Sequence, residues 1–116
     1  MSMWAPANRR RNALAAAALF VCWPTGAALA QLSPAAQRGL TFVRANCAQC
    51  HSVDRTSSSP LKIAPPFRTL HEHYPVENLA ESLAEGIRTG HPTMPEFRLD
   101  PGQVADVIAY LKTLEP

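Results

Sequence analysis

Two thiols and an imidazole stand within five consecutive residues, Cys47-Ala48-Gln49-Cys50-His51. Three chemistries use such a group. A C-x-x-C pair can shuttle a disulfide, but that role belongs to a βαβ context. A zinc site needs a further pair of ligands at suitable spacing. Here the conceivable partners, His71 and His73, are two residues apart, which is not the usual finger spacing. The third chemistry is specific to a histidine placed directly after the second cysteine: C-x-x-C-H is the pattern of covalent c-type haem attachment. The two thiols add across the two vinyl groups of the ring and become thioethers. The adjacent imidazole is then swung under the iron as its proximal ligand.

An electron-carrying iron wants its sixth position filled, and a thioether there favours the reduced metal. After residue 30 the chain has a single methionine, Met94, 43 residues beyond His51. Pro95 follows it and stiffens the loop by removing a backbone donor. A gap-filling core role for Met94 and His91 as the rival ligand are the alternatives. A ligating imidazole usually donates its other N–H to an acceptor. A carbonyl of the Pro65-Pro66 loop is a candidate for that acceptor; an ordinary rigid turn is the other reading.

Helices must position these groups. Ser33 is a good N-cap and Pro34 suits the first helical position. Ala36, Leu40 and Val43 form one stripe, shared with Gly39, so the pattern predicts a helix over 33–46 leading into the motif. Residues 52–66 read as loop, with a short helical turn near 67–73. Val76, Leu79, Ala80, Leu83 and Ile87 predict a second long helix over 75–88, opened by Pro75 and stopped by Gly90. Glu77, Glu81 and Glu85 step along its solvated face. Residues 91–99 read as loop. Asp100 and Gln103 stand at capping-box spacing and start a helix running to about Leu114, with Val104, Val107, Ile108 and Leu111 as its apolar stripe. Strand alternation and internal repeats are absent. The expected class is all-α, three main helices with long loops, and loops this long in a small domain make sense when they wrap something.

The chain has 116 residues, enough for one domain. Arg9-Arg10-Arg11, the ten-residue apolar run from Ala13 to Cys22, and Ala28-Leu29-Ala30 before Gln31 follow the order of a secretory signal peptide. The apolar run falls short of the ~20 residues that span a bilayer. Residues 1–30 are therefore expected to be a cleaved signal and 31–116 the working domain. Removing 1–30 takes away three arginines and none of the nine acids. The basic balance of the chain thus belongs to its signal, and nothing in the remainder reads as a nucleic-acid-binding patch. A domain of this size is marginal without a cofactor or staple.

The sequence resembles class I cytochromes c, the bacterial monohaem family, over essentially all of 31–116. The resemblance runs through the Gly39–Val43 helix into the C-x-x-C-H motif, and through Ala64-Pro65-Pro66-Phe67, similar to the family's proline loop. It continues in Thr89-Gly90-His91-Pro92-Thr93-Met94-Pro95-Glu96-Phe97, similar to its methionine loop, and in Asp106-Val107-Ile108-Ala109-Tyr110-Leu111-Lys112, similar to its last helix. It implies a cytochrome c-like fold around one haem c held by Cys47 and Cys50, with His51 and Met94 as axial ligands. The Pro65 carbonyl would accept from His51, Phe67 and Leu111 would wall the pocket, and Gly39 and Val43 would meet Tyr110 where the first and last helices cross. Ala64 departs from the family's usual glycine, and where mitochondrial members carry a ring of lysines around the haem edge, this chain has only the lysines Lys62 and Lys112, so the docking partner of those relatives does not carry over. A smaller basic rim from Arg68, Arg88 and Arg98 is one expectation; a plain solvated surface is the other. The expected function is single-electron transfer in the periplasm by a monomer that transforms no substrate. It would dock transiently with redox protein donors and acceptors, such as a membrane respiratory complex or a periplasmic dehydrogenase. The alternatives are a peroxidase-like haem enzyme and a haem-based sensor whose sixth ligand is displaced.

Overall fold

The computed structural model describes Met1, residues 31–86 and residues 93–116, and every regular element among them is helical. Residues 2–30, where a signal peptide is expected, lie outside the described residues, as do Ile87, Arg88, Gly90 and His91.

Helix α1 (Pro34–Asn46) starts where the cap chemistry predicts: the Ser33 hydroxyl accepts from the Ala36 N–H at 3.2 Å. Ala36 and Val43 are each 1% exposed, so the predicted stripe is the buried face. Helix α3 (Pro101–Lys112) opens with the full capping box, Asp100 accepting from the Gln103 N–H at 2.8 Å and the Gln103 amide oxygen accepting from the Asp100 N–H at 3.1 Å. Its regular turns end at Lys112, and two i→i+3 bonds carry the chain to Leu114. Val104, Val107, Tyr110 and Leu111 are its buried residues.

Helices α1 and α3 cross in close contact, and Gly39 is the residue that permits it. A Cβ at this position would run into the Asp106 carbonyl and come within 2.9 Å of Tyr110 Cβ. Beside the crossing, Arg38 donates two 2.7 Å bonds to the Asp106 carboxylate, which holds that carboxyl below its ordinary range. Gly39→Ala is expected to lower stability by about 3 kcal/mol, because overpacking against backbone has no flexible side chain to absorb it. That outweighs the ~1 kcal/mol alanine gains over glycine in helix propensity. Urea unfolding of the haem-loaded protein checks it.

The second long helix differs from expectation. Residues Val76–Asn78 form a 3-10 turn, and α2 is only Leu79–Glu85. Pro75 has no side-chain oxygen to cap the first turn, which closes instead by an Asn78 N–H to Pro75 carbonyl bond of 3.0 Å. The stop is Gly86, not Gly90: Gly86 takes φ +113° and gives its N–H to Ser82. That conformation suits glycine alone, and a Cβ there would meet the Glu96 carboxylate. The α2 face carrying Leu79 and Leu83 packs on the edge of the core and lines a pocket beside it.

The segment after His51 is irregular, yet it is pinned. Ser52 and Val53 are 2% and 8% exposed. The Tyr110 hydroxyl donates to the Val53 carbonyl, Arg55 to the Thr113 carbonyl, and Lys112 pairs with Glu77. These ties lock the loop and the 3-10 turn Val76–Asn78 onto the end of α3.

Candidate haem site

The C-x-x-C-H segment continues α1 as a tight turn. The Cys47 N–H bonds back to Val43 at 2.8 Å, and the N–H groups of Cys50 and His51 bond to the Cys47 carbonyl at 3.1 and 3.0 Å. This curl brings both thiols to one side, where each is half-buried and lines a pocket of about 320 Å³. Burial pushes the Cys47 thiol up to about 11. A thiol disulfide shuttle needs the opposite shift, and the two cysteines are free thiols. Among the described residues no three histidine, cysteine or acidic side chains gather closely enough to hold a metal ion. His71 and His73, on and just after the 3-10 turn Phe67–Glu72, do not line the pocket.

His51 faces the same pocket with its tautomer decided. Nδ1 lies 2.8 Å from the Pro65 carbonyl oxygen. A carbonyl only accepts, so Nδ1 carries a proton, which in the neutral ring leaves the lone pair on Nε2. The Phe67 ring packs at 5.0 Å from the imidazole, tilted by 40°, and Phe67 gives its N–H to the Ser52 carbonyl at 2.9 Å. Ala64, which stands in the place of the family's usual glycine, is buried at 8% exposure without disturbing this bond.

Met94 lines the pocket too, on the 93–99 loop. That loop is tied down by α2: the Leu99 N–H donates to Leu83 at 2.8 Å and Arg98 Nε to the Glu85 carbonyl at 3.1 Å. Arg68 and Arg98, candidates for a basic rim, are thus engaged with backbone and serine acceptors; Arg88 lies outside the described residues. Leu70, Val107 and Leu111 supply apolar wall.

One polar feature beside the site escaped the sequence reading. The Asp54 carboxylate accepts from the Ser57 hydroxyl and from the N–H groups of Ser57 and Thr56 at 2.6–2.7 Å. These bonds, led by the Ser57 hydroxyl, hold Asp54 down at about 2. A depressed carboxyl contributes stability that is complete above its unfolded value near 4 and is lost as pH falls toward 2. The stability gap between the wild-type protein and Asp54→Asn is therefore expected to be open at pH 6 and mostly closed at pH 2. Urea unfolding at the two pH values measures it.

Residues 36–115 match the family model for cytochrome c. The chain belongs to the cytochrome c family. A curated relative, the cytochrome c-553-like protein of Synechocystis sp., is 30% identical over 79 residues, covering 68% of this chain and 69% of that protein. No solved structure matches. The all-α cytochrome c fold read from the sequence is what the helices and the match give, and the family's covalent haem c and its work in electron transfer come with it. The residues suit the group: a cytochrome c needs two thiols beside an apolar slot, an imidazole anchored through Nδ1 so that Nε2 can serve the iron, and walls without uncompensated charge. This pocket combines all three.

Proposed function

We propose that this cytochrome c is a single-electron carrier with one haem c, attached through Cys47 and Cys50 and ligated by His51 and Met94. The observation that carries the proposal is the convergence of both thiols, the Nδ1-anchored imidazole and the thioether on one apolar pocket. When bound, haem supplies an iron that takes up and returns one electron. The protein's own groups do the rest. Pro65 holds the His51 proton and so directs Nε2 inward. Phe67, Leu70 and Leu111 exclude water, and the bonds to Leu83 and Glu85 fix the Met94 loop. A sixth position filled by a held thioether suits electron transfer and leaves no opening for substrate. The work therefore lies in electron exchange with other proteins rather than in a haem enzyme's chemistry.

Leu61 and Ile63 are 37% and 63% exposed, flank Lys62 and line the mouth of the same pocket. Such an apolar rim suits brief, small interfaces with redox protein donors and acceptors, to which the protein would come as a monomer. The signal pattern of residues 1–30 supports export and cleavage after Ala30, with haem attached and electrons carried in the periplasm. Among the described residues no helix is long and apolar enough to cross a membrane.

Exposure of the reduced, native protein to carbon monoxide at neutral pH tests the reading. Slow or negligible binding is expected. Rapid binding would favour the rival classes, a peroxidase-like enzyme or a ligand sensor.

A further inference from the structure

Ser52 is the buried polar side chain among the described residues, at 2% exposure, and it directly follows His51. Its hydroxyl has two neighbours: Arg68 donates to it at 3.2 Å, and the Ser57 hydroxyl lies at 2.9 Å. The direction of the second bond follows from proton counting. The Ser57 hydroxyl gives its one proton to Asp54 Oδ2 at 2.6 Å, so toward Ser52 it can only accept. Ser52 therefore donates to Ser57 and accepts from Arg68. The result is a one-way chain, Arg68 to Ser52 to Ser57 to Asp54, with a cation at its donor end and a carboxylate at its acceptor end. Bonds aligned in this way polarise one another. Arg68 also donates to the Ser57 carbonyl at 2.6 Å, and the Ser59 hydroxyl accepts from the Ser52 N–H at 3.0 Å.

The chain closes a seam that includes the ligand's own hydrogen bond. His51 bonds to Pro65, Ser52 is bonded by Phe67, and Ser52 is bonded again by Arg68. Three successive links thus join residues 51–52 to residues 65–68. We infer that Ser52, Ser57 and Arg68 are positioning residues for His51: their hydrogen-bond chain holds the Pro65 carbonyl against Nδ1–H and so tunes the redox balance of the site. This rests on His51 being the iron ligand proposed above. A firmly held Nδ1–H bond makes the imidazole a stronger donor, which favours the oxidised iron. Loosening the seam weakens that donation and raises the midpoint potential.

The test uses the haem-loaded protein. Ser57 is exposed, so Ser57→Ala cuts the chain without opening the core, and Ser57→Thr keeps the hydroxyl. Ser52→Ala cuts it one link nearer the ligand. The readouts are the midpoint potential and the solvent-exchange rate of the His51 Nδ1 proton, by NMR of the reduced protein. Ser52→Ala is expected to raise the potential by up to about tenfold in the reduction equilibrium, about 59 mV for one electron, and to speed the exchange. Ser57→Ala should do both to a smaller degree, and Ser57→Thr should restore wild-type values. Lower melting temperatures with potential and exchange unchanged in both alanine variants would overturn the inference and leave the chain a purely structural tie. If Ser52→Ala does not accumulate with haem, the Ser57→Ala and Ser57→Thr pair decides in the same way. Wild-type His51 ring signals without the shifts of an iron-bound imidazole would instead remove the ligation on which the inference rests.

Discussion

With both attachment thiols replaced, Cys47→Ala/Cys50→Ala, the chain is expected to lose its cooperative thermal transition and much of its helicity. The reason is the size of the pocket against the size of the domain. A cavity costs about 24 cal/mol per Å³ when the surroundings cannot collapse. At about 320 Å³ that is up to about 8 kcal/mol, a ceiling because the pocket opens to solvent on one side. Whole domains are stable by only about 5–15 kcal/mol. The face of α2 depends most on the cofactor, since none of its residues is fully buried and Leu79 and Leu83, packed on the edge of the core, also line the pocket. The α1–α3 crossing has its own core around Ala36, Val104 and Tyr110 and should retain residual helix. Circular dichroism melting of the double variant decides this. Native-like helicity with a sharp melt would contradict it.

Met94→Ala is expected to lower the midpoint potential by on the order of 0.1 V or more, within the ~0.8 V that axial ligands span. It should also open the iron to carbon monoxide. The thioether prefers ferrous iron, so removing it destabilises the reduced state. The 93–99 loop should survive the change, because its bonds to Leu83 and Glu85 do not involve the Met94 side chain. Redox titration with visible spectra of both oxidation states checks the prediction. An unchanged spectrum and potential would take Met94 away from the iron.

The parts of this fold that were readable in the sequence are those set by local rules. Ser33 and the Asp100–Gln103 box mark helix starts because capping is completed within three residues. The Ala36–Val43 and Val104–Leu111 stripes mark buried faces because the helical period is fixed. The attachment motif was readable because its chemistry dictates its spacing. What stayed hidden depends on residues far apart in the chain. Gly86 ends α2 where Glu96 packs against it, which an apolar repeat running on to Ile87 cannot reveal. Val53 is buried by a tyrosine 57 positions away. Arg68 looks like a surface cation until the fold sets it over Ser52. A serine and an aspartate in a breaker-rich loop carry no pattern announcing that they join in a hydrogen-bond chain with Ser52 and Arg68. The candidate site was legible as a set of residues; the hydrogen-bond chain from Arg68 to Asp54 beside it was not.

The mass of the protein purified after export, measured under denaturing conditions, tests the covalent cofactor most directly. A polypeptide beginning at Gln31 that carries the mass of one haem, surviving acid extraction, is the expected result. A chain of unmodified polypeptide mass, with both thiols free to react with an alkylating reagent, would contradict it.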